Sequence, residues 1–129
     1  MNRTLILVRH GRSDFDSDDL RETPRGRQWD PPLDEEGRRQ ADLLGARLLL
    51  APDITTVYCS PFRRALQTVA PYAQGSGREV HVEEDLGEAY IGQWENRPFE
   101  EILASDDQML DRFRNQDAIW LHAPDAERV

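Results

Sequence analysis

The chain has 129 residues with 25 acidic against 16 basic side chains, a net charge of −9. That is the length of one domain around a single core, and too acidic for a nucleic-acid surface. All 16 cations are arginine, which excludes Schiff-base and phosphate-loop lysine chemistry and favours planar, bidentate recognition of anions.

Cys59 is the one cysteine, so no internal disulfide or cysteine metal cluster is expected, and a reducing, cytoplasmic setting follows. No stretch has the length of a signal-peptide core or a membrane span, and no membrane partner is expected. The charge is uneven: residues 1–80 hold 12 acidic and 12 basic groups, residues 81–129 hold 13 and 4.

Thr4 to Val8 is a continuous apolar run that predicts a first strand buried on both faces and ending at Arg9, His10 and Gly11. The polar stretch from His10 to Leu33, with Pro24, Gly26, Pro31 and Pro32, predicts a long loop serving as a lid. Asp34 is the expected N-cap of a helix carrying Glu35 and Glu36 in its first turn and Ala41, Leu44 and Leu48 at helical spacing, stopped by Pro52.

Ile54 to Cys59 predicts a second strand, and Ser60-Pro61 a second helix with serine as cap and proline at its first position, running to about Ala73. A turn at Gly75-Ser76-Gly77, a third strand over Glu79 to Val82 and an irregular segment from Glu83 to Arg97 follow. Pro98 then opens a helix through Phe99, Ile102 and Leu103 toward Met109, Leu110 and Phe113. The alternation argues for one α/β domain over residues 1–129, a layered α/β/α fold with a mainly parallel sheet and ligands beyond the carboxyl ends of its strands.

That rim collects the chemistry. His10 ends one strand, flanked by Arg9 and followed by Gly11, and Arg64 falls in the first turn of the helix after the next strand. Two guanidiniums and an imidazole near a helix N-terminus make an anion site suited to a phosphoryl group. A lone strand-end histidine is more often structural, and it is the convergence that favours chemistry here.

Other features read as ordinary. Asp14, Asp16, Asp18 and Asp19 do not make an EF-hand, since Asp19 and Arg25 stand where glycine and glutamate are needed. Cys59 and Arg64 have four residues between them, one fewer than the cysteine-phosphatase loop requires. Cys59, His81, His122, Trp94 and Trp120 are expected in packing, and Arg63 in solvent.

Four ordered motifs, LVRHGRS at 7–13, WDPPLDEEGRRQA at 29–41, CSPFRRALQT at 59–68 and LGEAYIGQWE at 86–95, resemble the histidine phosphatase superfamily, the phosphoglycerate mutase-like proteins. The resemblance runs from Leu5 to about Ala123. It implies a phosphoglycerate mutase-like fold and a phosphomonoester hydrolase that needs no cofactor or metal.

In that reading His10 becomes a phosphohistidine, Arg9 and Arg64 bind the phosphoryl oxygens, and Glu88 acts as general acid and base. Ser13 and Ser60 lie near the phosphate. A neutral imidazole is nucleophilic near neutrality, and the guanidiniums match charge growing on oxygen in the transition state. Glu88 is expected to be buried near Leu86, Tyr90 and Trp94 so that it holds a proton for the leaving group.

The substrate implied is a small phosphorylated metabolite or a phosphoprotein. Mutase-type phosphotransfer and a non-catalytic phosphate-binding remnant are the rival readings, and a homo-oligomer is compatible with each. The resemblance also implies C-terminal truncation: family members carry a second catalytic histidine on a later strand, and PDAERV at 124–129 stands where the loop before it would be. Leu5 to Val8 would then have an exposed edge. Arg12 and Asn96 depart from the acidic residue and the glycine usual at those positions.

Overall fold

The computed structural model describes residues 3–51, 53–95, 97–105, 108, 111, 114 and 115. Pro52, Asn96, Met109, Leu110, Phe113, Trp120, His122 and the 124–129 segment, each named in the sequence reading, lie outside the described residues. The chain divides into two compact units, one of residues 1–17 and 30–87, the other of residues 18–29 and 88–129.

In the first unit, helix α1 (Glu35–Leu49) begins where the sequence indicates. Asp34 caps it, with Oδ1 accepting the Gly37 amide at 2.8 Å, and Glu35 and Glu36 stand at the positive end of the helix dipole. Its buried stripe is Gly37, Ala41 and Gly45 instead of the expected leucines; Leu44 and Leu48 are half-buried. Small residues four apart let other backbone come close. A methyl group on Gly45 would lie 3.0 Å from Pro71 Cβ, so α1 packs tightly on helix α2 (Arg63–Ser76).

α2 starts two residues later than Ser60-Pro61 suggests. Phe62 holds the cap position, and the carboxylate of Asp30 accepts the Arg63 amide at 2.8 Å, so a distant residue satisfies the helix end. Ser60 Oγ instead accepts the Phe62 amide at 3.3 Å. The helix also runs past Ala73 and through Pro71 to Ser76.

Strand β3 (Val57–Cys59) pairs in parallel with β4 (Val80–Val82) across that helix, both shorter than predicted. Leu33, Phe62, Tyr72 and Cys59 are buried here. Burial also pushes the Cys59 thiol above its usual range. The ring of the exposed His81 lies 5.6 Å from that of Tyr58, tilted by 40°.

The expected first strand is absent. No described strand includes residues 4–8, and Leu5 and Leu7 are 81% and 85% exposed. A strand needs a neighbour to take its backbone groups, and an apolar run alone does not supply one.

In the second unit, strands β1 (Leu20–Thr23) and β2 (Gly26–Trp29) form an antiparallel hairpin inside the stretch expected to be loop. Gly26, at φ 137°, takes a backbone conformation closed to other residues and leaves room for the Tyr90 hydroxyl, which a Cβ would meet at 2.6 Å. Glu95 accepts amides from both Trp29 and Ile91 at 3.1 Å, tying the hairpin to the irregular segment. Trp94 and Ile102, on helix α3 (Phe99–Ala104), form the unit's small core with Ile91 and Leu103.

Candidate active site

The segment after His10 is held from both sides. The Gly11 amide donates to Thr68 Oγ1 at 2.9 Å, the Arg12 amide to Gln40 Oε1 at 2.9 Å, and the Arg12 carbonyl accepts the Asp34 amide at 3.1 Å. Ser13 bridges to Leu33, and the Asp14 amide donates to Pro32 at 2.8 Å. Where a strand is missing, helices and the 30–34 turn fix the chain instead.

This fastening settles the imidazole. His10 Nδ1 lies 2.7 Å from the Gly11 carbonyl oxygen. A carbonyl can only accept, so Nδ1 carries a proton, and in the neutral ring the lone pair is then on Nε2, the nitrogen that would attack an electrophile. Arg9 and His10 share the wall of an open concavity of about 370 Å³ with Leu7, Val8, Gly11, Gln40, Leu44 and Thr68.

Arg64 is buried at 8% exposure, with its guanidinium 4.6 Å above the Phe62 ring and Nη1 4.0 Å from Asp30 Oδ1. Its carbonyl accepts the Thr68 hydroxyl at 2.7 Å, which places it one side chain away from Gly11. Ser13 is buried and Ser60 half-buried in the same unit, but neither lines the concavity.

Glu88 belongs to the other unit. Its carbonyl is held by the buried Gln28 amide at 3.3 Å, and the residue is exposed. The burial expected for it is absent, because Leu86 beside it is itself 52% exposed and the apolar packing lies further on, at Trp94 and Ile102.

Sequence reasoning missed Thr68, Gln40 and Asp30. All three stand inside recognised motifs, and the spacing of Thr68 four residues after Arg64 was a legible sign that it shares a helix face with it. Arg12 pairs with Asp34 and, with the Gly37 amide as the larger cause, holds that carboxyl below its usual range. Among the described residues no three His, Cys, Asp or Glu side chains converge as a metal site, and no helix is long and apolar enough to cross a membrane.

Comparison with known proteins returns a consistent picture. The family model described as the histidine phosphatase superfamily (branch 1) matches residues 5–128. Phosphoserine phosphatase 1 of Hydrogenobacter thermophilus is 34% identical over 102 residues, covering 77% of this chain and 44% of that protein. Bifunctional protein Rv2228c of Mycobacterium tuberculosis is 32% identical over 115 residues, 89% of this chain and 30% of that one.

Among solved structures, the alpha-ribazole phosphatase from Shigella flexneri superposes with a TM-score of 0.65 at 27% identity, covering 93% of this chain and 56% of that one. The chain thus spans less than half the length of these two curated relatives.

Proposed function

Because the chain belongs to branch 1 of the histidine phosphatase superfamily, we propose that it acts in phosphomonoester hydrolysis with His10 as the nucleophile. The observation that carries this reading is the bond from His10 Nδ1–H to the Gly11 carbonyl, which makes Nε2 the nitrogen with the lone pair in the neutral ring of a histidine that shares the wall of a concavity with Arg9. The phosphatase names of the relatives support the reaction class.

In the first step Nε2 bonds to phosphorus and the P–O ester bond breaks, the leaving oxygen taking a proton from a general acid, the role that the place of Glu88 in the LGEAYIGQWE motif, and not its burial, gives to that residue. In the second, the Glu88 carboxylate takes a proton from water as that water attacks phosphorus, and the N–P bond breaks to restore the imidazole. Arg9 and Arg64 neutralise charge on the phosphoryl oxygens in both steps. The Ser60 hydroxyl, which accepts the Phe62 amide, keeps its own proton to donate to an anion, and Ser13 shapes the loop beside it. The substrate class is a small phosphorylated metabolite, and a phosphoprotein would require a wider contact surface.

The test is to incubate the chain with p-nitrophenyl phosphate, quench in alkali and locate phosphate by mass spectrometry. An acid-labile, alkali-stable phosphate on His10, absent in His10→Asn, is the expected result. Hydrolysis that persists in His10→Asn would overturn the assignment.

A further inference from the structure

We propose that Thr68 is a positioning residue that sets the tautomer and aim of the His10 imidazole through Gly11, and couples them to the helical turn that carries Arg64. The proposal rests on the reading of His10 as nucleophile for its catalytic consequence, though not for its structural one.

The argument follows the protons. Thr68 is buried at 4% exposure and its hydroxyl has one proton. The Gly11 amide can only donate, so at 2.9 Å Thr68 Oγ1 is its acceptor, and the hydroxyl proton goes to the Arg64 carbonyl at 2.7 Å. Gly11 then presents its own carbonyl to His10 Nδ1–H at 2.7 Å. Three hydrogen bonds thus run in one direction, from imidazole to glycine to threonine to the arginine's carbonyl, and none can be reversed.

A threonine bonding back four residues along its own helix is commonplace. The second bond, to a segment 57 residues away in sequence, is what makes it specific. Gly11 has little room to shift, because on its other side a Cβ would already lie 2.7 Å from the Gly37 carbonyl oxygen. Without the hydroxyl, the buried amide of the His10–Gly11 peptide is left unsatisfied; as that peptide turns to find an acceptor it moves the Gly11 Cα, and with it the carbonyl of the following peptide on which the imidazole is aimed.

Valine keeps the shape of threonine without the hydroxyl, and serine keeps the hydroxyl without the methyl. Histidine side-chain ¹⁵N spectra read the tautomer directly, and with three histidines in the chain the His10 signals are assigned by His10→Asn. Wild type and Thr68→Ser are expected to show His10 protonated at Nδ1, and Thr68→Val a mixture of both tautomers. Phosphohistidine formation from p-nitrophenyl phosphate should fall about a hundredfold in Thr68→Val, the cost of a misplaced reacting group, and recover in Thr68→Ser.

A folded Thr68→Val with the wild-type His10 spectrum would overturn the proposal, since a purely structural threonine would lower the melting temperature and leave the imidazole unchanged. Should Thr68→Val not fold, hydrogen exchange in the wild type decides. The Gly11 amide is expected to be strongly protected, and exchange at the rate of open backbone would refute the bond. If wild type forms no phosphohistidine, the phosphatase reading fails while the tautomer and exchange measurements still judge Thr68.

Discussion

Gly11 and Gly37 face each other across a gap with no room for a side chain on either: a methyl group on Gly11 would sit 2.7 Å from the Gly37 carbonyl oxygen, and one on Gly37 would run into the Arg12 carbonyl. The segment behind the nucleophile and the first turn of α1 therefore touch backbone to backbone.

Gly37→Ala is expected to destabilise the fold even though alanine is the better helix former by about 1 kcal/mol. The colliding partner is a carbonyl that also accepts the Asp34 amide and cannot swing away. Overpacking of this kind costs about 1–3 kcal/mol, or more where no side chain can yield. Urea unfolding of the variant measures the balance, and a gain in stability would refute the contact.

Asp34 should govern the acid limb of stability. The Gly37 amide and the Arg12 guanidinium lower its pKa in the fold, so its contribution is complete above the unfolded value of about 3.9 and is lost as pH falls through the lower folded value. Asp34→Asn keeps a capping oxygen but no charge. Thermal melts between about pH 2 and 6 should show a shallower acid slope for the variant than for wild type.

Arg64→Lys keeps the charge and loses the fork. Lysine offers a compact ammonium where a planar guanidinium lies over Phe62 and beside Asp30. The rate of phosphohistidine formation is expected to fall about 10²–10³-fold, with the phosphorylated residue still His10. An unchanged rate would remove Arg64 from the phosphoryl site.

The open apolar run makes its own prediction. With Leu5 and Leu7 projecting into solvent, the chain should self-associate as its concentration rises, and Leu5→Lys combined with Leu7→Lys should suppress this. Light scattering over a dilution series tests it, and a wild-type chain that stays monomeric throughout would count against the run as an adhesive edge.

What could be read from the sequence was whatever depends on near neighbours. Asp34 as cap, the acidic first turn and the breadth of α1 need only a few adjacent residues, and they stand as expected. The residues drawn into the His10 segment were partly legible, since Arg9, His10 and Gly11 interrupt an apolar run abruptly.

Features that depend on distant partners were not legible. α2 begins at Arg63 because Asp30, 33 residues earlier, takes its first amide. The hairpin at 20–29 has one apolar residue on each strand, Leu20 and Trp29, and is held by Glu95 and by the fit of Tyr90 against Gly26, so alternation of apolar residues could not reveal it. Leu5 to Val8 had every local mark of a strand and no described neighbour to complete one. Glu88 was expected to be buried because aromatic residues follow it in sequence, yet those side chains pack away from it.

The threading of the chain has one more consequence. Because residues 18–29 belong with 88–129 while 1–17 belong with 30–87, the polypeptide changes unit after Ser17, Trp29 and Gly87. No single cut or cloned stretch releases either unit whole, and a fragment beginning at Asp30 would lose the very backbone that Gly37 was left bare to receive.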